Sequence, residues 1–600
     1  DGRHWHCSLL LSEREENELD FVKAERHGDK IWVTADFSTK DVILTLPGSR
    51  WDRTNGVCVL NLSYASCKQL RGILGDRLEI GDALYEWAVE EVQSRVEPCL
   101  QLRQATQALN TDGMDERLYS YQKAGALFLA TSGQALLSDP MGAGKSATAT
   151  TAAKLLNAVP ALVICPNSVK HSWKREIENW WPGMTATIVQ GTKKQRIEKI
   201  RSCKDGFLII NWESTWRHSK LTTYGAMRVP PEDLEEKELN EIPWQLIIAD
   251  EAHRMQDPQS KQTRAVWALG RETPYRWAMT GTPLTNTPDT LYPVLNFLSP
   301  NEWPSKTKFI GRYCNTAPSR WGPGLDVFGL NENTKDEFFE IFDPRFRRMP
   351  KEIILPFLPP VQHVRRDIEM SDEQRAGYET MVEDMIATDE NGELIIAVNP
   401  ISKLTRTIQY SSATLVINEE GLARMTAPSN KLTQLEADLD DYLSSGESII
   451  VFAVHRQLIE MAEALLKKKK ISYSVVKGNQ KETERQRNVD DFQNKKVQVI
   501  LVVIAAGGVG LTLTTGRIAI FLQRPWSNVD YRQALGRNHR IGSEQHESIL
   551  VIDYVSRGTV ENYQLQALSG KANQLEAVVR DRQTIERILK GEDVSNLEGE

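Results

Sequence analysis

Two stretches of this chain carry residues that could handle a nucleotide, and a third carries residues that could assist. The first, "LLSDPMGAGKSATATTAA" (136–153), runs from an apolar end through a glycine-rich turn into an alanine-rich, helix-like segment. Gly144, Lys145 and Ser146 fit the end of the phosphate-loop pattern G-x-x-x-x-G-K-[ST], while Asp139 stands where its first glycine belongs. Taken alone, the stretch reads either as a phosphate cradle or as a tight strand-to-helix turn. As a cradle, Gly142 and Gly144 permit backbone angles that a side chain forbids, so successive N–H groups can face a phosphate. The start of the following helix adds its positive end. Lys145 then offers an ammonium to the β- and γ-phosphates, and the Ser146 hydroxyl joins a Mg²⁺ shell. Asp139 need not touch phosphate.

The second stretch, "WQLIIADEAH" (244–253), is a buried apolar strand ending in Asp250 and Glu251. Ligands of open parallel sheets sit beyond the carboxyl ends of the strands. Two carboxylates there are costly unless they hold a cation or a reacting water. Asp250 suits Mg²⁺ and Glu251 suits the attacking water; the alternative is a surface turn with two solvated acids. The third stretch, "QALGRNHRIGS" (533–543), places Arg537 and Arg540 three apart. On a helix they share a face, with Gln533 one turn earlier. Phosphoryl transfer needs positive charge as its transition state forms. A solvated helix face is the plainer reading of these residues alone.

The elements that must hold these residues are legible as alternating strands and helices. "QALLS", "ALVICP", "FLIIN", "WQLIIAD" and "RWAMTG" are short apolar runs, each followed by a helix candidate. Fully buried strands alternating with helices imply a parallel sheet covered on both faces. From about 426 the pattern resumes with "SIIVFAV", "SYSVVKG", "VQVILVVIAA" and "RIAIFLQ". The intervening 301–425 is rich in Pro, Arg and Lys and reads as a helical insertion and linker. Before the first sheet, "KIWVTADF" and "DVILTLP" read as strands, and "GDALYEWAVEEVQSRV" as a helix. The expected fold is α/β: two parallel-sheet lobes, a helical insertion and linker, and a small α+β N-terminal domain. Its expected divisions are 1–112, 113–300, 301–425, 426–565, and a charged helix-like tail at 566–600.

A net charge of −8 means that any nucleic-acid surface must be a local basic groove on an acidic protein. The cysteines, 7 in all, form no C-x-x-C pair, which argues against a zinc site or disulfide scaffold and for a reducing compartment. No apolar run is long enough for a membrane span. The first twenty residues lack the charged-then-apolar order of a secretion signal. The chain starts at Asp1 without an initiator Met, so a longer parent chain is expected. "KKKK" (467–470) reads as the solvated end of a helix.

"DPMGAGKS" with "DEAH" resembles the ATPase core of helicase superfamily two, and further motifs narrow the resemblance to the SWI/SNF-type DNA translocases. "LYSYQKAGALFL" (118–129) resembles that family's entry motif, which implies that Gln122 contacts adenine. "LVICPNSVKHSWKREIENW" (162–180), "AMTGTPLTN" (278–286), "IIVFAVHRQLIEMAEALL" and "ERQRNVDDFQ" match further blocks. So do "AAGGVGLTLT" (505–514) and "QALGRNHRIGS", while Arg347, Arg348, Lys351, Leu358, Pro359 and Pro360 echo the family's linker motif. The resemblance spans roughly 117–560 and implies two RecA-like motor lobes using ATP and Mg²⁺. It implies that Arg537 and Arg540 act as arginine fingers reaching from the second lobe. It also places His253 and Gln533 in the nucleotide site beside Gly142, Gly144, Lys145, Ser146 and Asp250.

The family grips the backbone of mainly one DNA strand, which marks Pro166, Ser168, Asn211, Gly508 and Thr512 as DNA-contact candidates. Trp526 in "RPWSN" matches a lobe-two tryptophan, with a core role as its alternative. This chain departs from the family at Ala143 (usually Leu), Ser146 (Thr), Ser543 (Gln) and Tyr119–Ser120 (Arg-Pro). The first and second departures keep the loop chemistry; the others bear on nucleotide preference and rate. The segment "LTLPGSRWDRTNGVCVLNLSYASCKQLRGILGDRLEI" resembles the accessory domain of annealing-helicase relatives, which directs the motor to DNA junctions. The expected function is an ATP-dependent translocase on duplex or forked DNA, independent of sequence, that remodels or anneals branched DNA, with DNA-stimulated hydrolysis. The alternatives are a strand-separating DNA or RNA helicase and a non-catalytic DNA-binding scaffold. A cytoplasmic location is expected if the source is bacterial or phage, and a nuclear one if it is eukaryotic.

Overall fold

The computed structural model describes residues 21–565 except 109, 226, 282–287, 320–323, 385, 389–393, 397–399, 419–421, 479, 508–510 and 563. The tail 566–600 and the candidate Gly508 therefore lie outside the described residues. Residues up to 140 together with 144–354 form one unit, and Met141–Ala143 group with a second that runs from Leu355.

The first unit opens with strands β1 (Val22–His27) and β2 (Lys30–Thr34), helix α1 (Phe37–Ile43), and strands β3 (Arg50–Asp52) and β4 (Val57–Asn61). Helix α2 (Tyr64–Leu74), strand β5 (Leu78–Ile80) and helix α3 (Asp82–Glu91) come next. The strands pair in the order β3-β4-β2-β1-β5, antiparallel except for β1 with β5. "DVILTLP", expected as a strand, is instead the end of α1 and the turn after it. Asp36 decides this: its carboxylate accepts from Thr39 N at 2.8 Å and starts a helix. Ile43 and Leu46, three apart, then share one buried side.

A π-helical turn, Val92–Val96, joins α3 to α4 (Glu97–Leu102). Pro98 lacks the N–H that an uninterrupted α-helix would need there. The N-terminal module is fastened to the rest of its unit by 301–342. Lys308 Nζ donates to Leu44 O at 2.7 Å and Ser49 O at 3.0 Å, and Gln69 Nε2 donates to Tyr313 OH at 2.9 Å.

After α5 (Ser120–Ser132), β6 (Gln134–Leu137) leads into the glycine loop and α6 (Lys145–Leu156). Then come β7 (Ala161–Cys165), α7 (Lys170–Trp180), β8 (Ala186–Ile188), β9 (Phe207–Asn211), β10 (Leu246–Asp250) and β11 (Tyr275–Met279). The expected insertion supplies helices and also a hairpin, β12 (Cys314–Pro318) with β13 (Leu325–Leu330), and β14 (Phe346–Arg347). Among the described residues the sheet runs β14-β6-β11-β10-β7-β9-β8, every pair parallel. The interior strands are buried on both faces, which is why they read as unbroken apolar runs.

The second unit begins with β15 (Val361–Ile368) and carries the hairpins β16 (Ile386–Thr388) with β17 (Leu394–Ile396) and β18 (Thr414–Ile417) with β19 (Ala423–Thr426). Strands β20 (Ile449–Ala453), β21 (Tyr473–Val476), β22 (Val499–Val503), β23 (Ile518–Phe521) and β24 (Ile549–Ser556) complete it. Five of these with β15 form a parallel sheet in the order β15-β24-β23-β20-β22-β21. "KKKK" is the C-terminal turn of the helix Arg456–Lys469, with Lys470 as its left-handed cap. No helix among the described residues is long and apolar enough to cross a membrane.

Candidate nucleotide site

In the first unit, strand register gathers most of the candidates on one edge. Leu137, Met279 and Asp250 are level across β6, β11 and β10. The glycine loop, Thr280 and Glu251, each just past the end of its strand, therefore emerge side by side. Pro166 and Asn211 stand at the same edge after β7 and at the end of β9.

The glycine loop has the backbone its sequence calls for. Gly142 and Gly144 have φ of +81° and +76°, and Gly144 caps the N-terminus of α6 in the left-handed conformation. A Cβ at Gly144 would collide with the side-chain amide nitrogen of Gln122. The other end of that amide is fixed, since Gln122 Oε1 accepts from Tyr119 N at 3.0 Å at the start of α5. Gln122 is thus buried against the loop. Lys145 Nζ lies over the loop and donates to Asp139 O at 2.8 Å and Pro140 O at 3.2 Å. Ser146, half-buried, is next on α6. The buried Ser138 hydroxyl has no hydrogen-bond partner among the described residues.

Asp139 explains its own departure from the glycine pattern. Its carboxylate accepts from Met349 N at 3.0 Å, with Arg347 Nε at 3.8 Å. Burial raises its pKa, against the pull of Arg347.

Asp250 closes β10 and is half-buried. Its Oδ2 accepts from Trp173 Nε1 at 2.8 Å and its Oδ1 from Glu251 N at 3.0 Å, while Trp212 Nε1 donates to its carbonyl at 2.9 Å. Burial first, and the adjacent Glu251 charge second, hold its carboxyl above the ordinary range. Such a group is poised to be neutralised by a cation. Glu251 is left-handed, with φ +54°, which costs a non-glycine residue about 1–2 kcal/mol. Its Oε2 is 3.4 Å from His253 Nδ1, which also lies 3.0 Å from Thr280 Oγ1. His253 thereby links the acidic pair to the residue after β11. Motif and register place Thr280 here, whereas the indole of Trp173 gives no sequence signal of its aim at Asp250.

Of the DNA candidates in this unit, Pro166 is buried, Ser168 half-buried, and the Asn211 amide donates to Glu213 Oε2 at 2.8 Å.

In the second unit the expected helix face does not form. The helix Asn528–Leu535 carries the buried Gln533 but ends before Arg537 and Arg540. Those arginines lie in the turn beyond it. Its course is set by the buried Asn538, whose amide donates to Gly516 O at 3.3 Å. Leu513 N donates to Arg537 O at 2.9 Å, His539 Nε2 to Pro359 O at 3.0 Å, and Arg540 Nη1 to Leu511 O at 3.4 Å. These anchors outcompete continued helical hydrogen bonding. Thr512 is half-buried in the segment that receives the turn. Trp526 packs against the second unit's core, its indole N–H buried without a partner among the described residues.

The donor set of the first unit fits Mg²⁺–ATP. It comprises an N-terminal helix cradle with no room for a Cβ, an ammonium, a hydroxyl, and a half-buried carboxylate beside a second one. The SNF2-related domain model matches residues 87–415 and the helicase conserved C-terminal domain model matches 431–542. The DNA annealing helicase and endonuclease ZRANB3 of Bos taurus is 25% identical over 466 residues, 77% of this chain and 40% of the relative. The ISWI chromatin-remodeling complex ATPase ISW1 of Saccharomyces cerevisiae is 25% identical over 472 residues, 75% of this chain and 39% of the relative. This chain spans less than half the length of the curated relatives it matches. The solved Sulfolobus solfataricus SWI2/SNF2 ATPase core in complex with dsDNA aligns with 81% of this chain and all of its own, at 23% identity and a TM-score of 0.37. With one family model covering more than half of its length, the chain belongs to the SNF2-related domain family.

Proposed function

We propose that this chain is an ATP-dependent translocase on double-stranded DNA that remodels or anneals branched DNA, its hydrolysis stimulated by DNA. The observation that carries the reading is the level placement of the glycine loop, Thr280 and Asp250–Glu251 on the carboxyl edge of one parallel sheet. Mg²⁺–ATP would supply the phosphoanhydride whose hydrolysis drives movement. Lys145 and the first amides of α6 hold its phosphates, Ser146 and Asp250 hold the cation, and Gln122 reads the base. Glu251 accepts a proton from the attacking water, and His253 relays its position to Thr280. Arg537 and Arg540 stabilise charge in the transition state. Pro166, Ser168, Asn211, Gly508, Thr512 and Trp526 belong to the DNA path, where backbone contacts need no base recognition.

The branched-DNA part of the reading is supported by the N-terminal module. Phe37 is 77% exposed, and Lys40 Nζ stands 4.4 Å from its ring centroid and 4.9 Å from that of Trp51. An aromatic surface beside cations suits unpaired bases. ZRANB3, by its name an annealing helicase, is among the relatives. Steady-state ATPase measured with no nucleic acid, single strand, duplex and fork, side by side, tests the proposal. Turnover should be low alone and highest with fork. Lys145→Ala should lower it by about 10²–10³; full activity in that variant would overturn the reading.

A further inference from the structure

Arg347 lies on the strand that flanks the glycine-loop strand, and its side chain is fully buried. One of its terminal nitrogens donates to Leu102 O, and the other donates to Ala105 O at 2.9 Å and Tyr121 O at 3.2 Å. Leu102 ends α4, the last piece of the helical path from the N-terminal module, so the guanidinium adds a second donor to the helix's final carbonyl, which also accepts from Ala105 N at 3.2 Å. Tyr121 precedes Gln122 in the first turn of α5. The Nε edge of Arg347 faces Asp139 Oδ2 at 3.8 Å, inside the phosphate-loop sequence. The same residue's backbone closes the circuit, with Ser138 N donating to Arg347 O at 2.7 Å. Gly125 makes the passage possible: a Cβ there would stand 3.0 Å from Thr148 Cγ2 and 3.4 Å from Arg347 Nε.

A buried ion pair gives weak net stability, because desolvation opposes the attraction. Capping α4 needs no such pair, since a glycine or a water would satisfy its last carbonyls. What this arginine adds is connection: one rigid, planar group touches the end of the N-terminal module's helix, the start of the helix bearing Gln122, and the loop bearing Lys145. We propose that Arg347 and Asp139 are positioning residues that couple the helix arriving from the N-terminal module to the nucleotide loop, so that occupancy of either is felt at the other. The coupling rests on the nucleotide reading above. By reciprocity, a ligand that orders the loop must also order residues 97–105.

The test is amide hydrogen exchange on the full chain, with and without saturating Mg²⁺–ADP, beside a direct titration of nucleotide. In the wild type, ADP should slow exchange across 97–105. In Asp139→Asn, which keeps the acceptor for Met349 N and puts an uncharged amide nitrogen in place of the oxygen facing Arg347, that protection should disappear and affinity fall about tenfold, within the usual range of coupling. Arg347→Lys should act in the same direction, because an ammonium cannot span the same acceptors. If it fails to fold, the wild type and Asp139→Asn decide. ADP that binds the wild type yet leaves 97–105 unchanged overturns the coupling while sparing the nucleotide site. An Asp139→Asn protein with normal affinity and normal protection overturns it equally. A wild type that binds no nucleotide removes the site itself, and the coupling with it.

Discussion

The side-chain amide of Gln122 fills the space into which a Cβ on Gly144 would project, so the proposed base-reading residue and the cap of the phosphate-loop helix are in direct contact. Gly144 is held twice, by this contact and by its left-handed φ of +76°. Gly144→Ala should therefore displace Gln122 and strain the cap together. The backbone cost alone is about 1–2 kcal/mol, so nucleotide affinity should fall by about 5–30-fold. Nucleotide titration checks this; unchanged affinity would mean that Gln122 and the loop do not act on one ligand.

Glu251 and Asp250 are neighbours with separate tasks. Asp250 is locked by Trp173 and by the amide of Glu251, whereas Glu251 is turned by its positive φ toward His253. Glu251→Gln should leave Mg²⁺–ATP binding close to wild type and lower turnover by about 10²–10⁴, the usual worth of a general base. The variant should accumulate bound to ATP and DNA. Affinity that collapses along with turnover would make Glu251 a metal ligand instead.

The raised carboxyl of Asp250 has a consequence for stability. Between its ordinary value of 3.8 and its higher folded value, the folded chain holds a proton that the unfolded chain has released. The Asp250 contribution should thus fall as pH rises through that window and stay flat above it. Without Mg²⁺, thermal melts of wild type should lose stability relative to Asp250→Asn as pH rises from about 4 toward neutrality, by a few degrees. Mg²⁺ should restore wild type at neutral pH and leave the variant unmoved. Parallel pH profiles for the two proteins would show that Asp250 ionises as an ordinary surface acid.

Much of this site is legible in the sequence because its chemistry is written in contiguous runs. A buried strand is apolar throughout, so β6, β7, β9, β10 and β11 announce themselves, and the residue after each strand is found by counting. The partnership of Asp139 with Arg347 is not legible, since it joins residues 208 apart in the sequence that only a parallel strand pairing, with Arg347 level with Leu137, brings near each other. Strand β15 hides for another reason: "VQHVRRDI" lies at the sheet edge and is largely exposed, so it lacks the apolar signature. The turn holding Arg537 and Arg540 reads as helix because spacing records periodicity but not the side chain that breaks it, here Asn538.

On the N-terminal module, the exposed Phe37 ring and the Lys40 ammonium beside it offer a stacking surface that the fold does not need. Phe37→Ala should leave the melting temperature within about 1–2 °C, as expected of an exposed position. Fork affinity should nonetheless fall by the worth of one stacked base, about 1–3 kcal/mol. Stimulation of ATPase by plain duplex should be retained. Equal losses on fork and duplex would place Phe37 on the general DNA path and remove the module's selectivity.

Arg537 and Arg540 belong to the second unit, while Lys145, Asp250 and Glu251 belong to the first. As arginine fingers they can act only when both units serve one nucleotide, and DNA binding is the proposed source of the energy that completes the constellation. The turn that carries them is well anchored in its own unit, through Asn538 to Gly516 and His539 to Pro359, so removing one guanidinium should not unfold it. Arg540→Ala should lower kcat with DNA present by about 10³ or more, as other arginine fingers do. ATP binding without DNA should change little, and DNA affinity should stay near wild type because phosphate-backbone contacts come from other loops. His539→Ala should give an intermediate loss by loosening the turn without deleting its charge. ATPase that runs equally fast with and without DNA would refute assembly by DNA. An Arg540→Ala protein that fails only in DNA binding would make Arg540 a phosphate-backbone contact, whose loss should weaken binding uniformly across sequences and lower its salt dependence by about one ion.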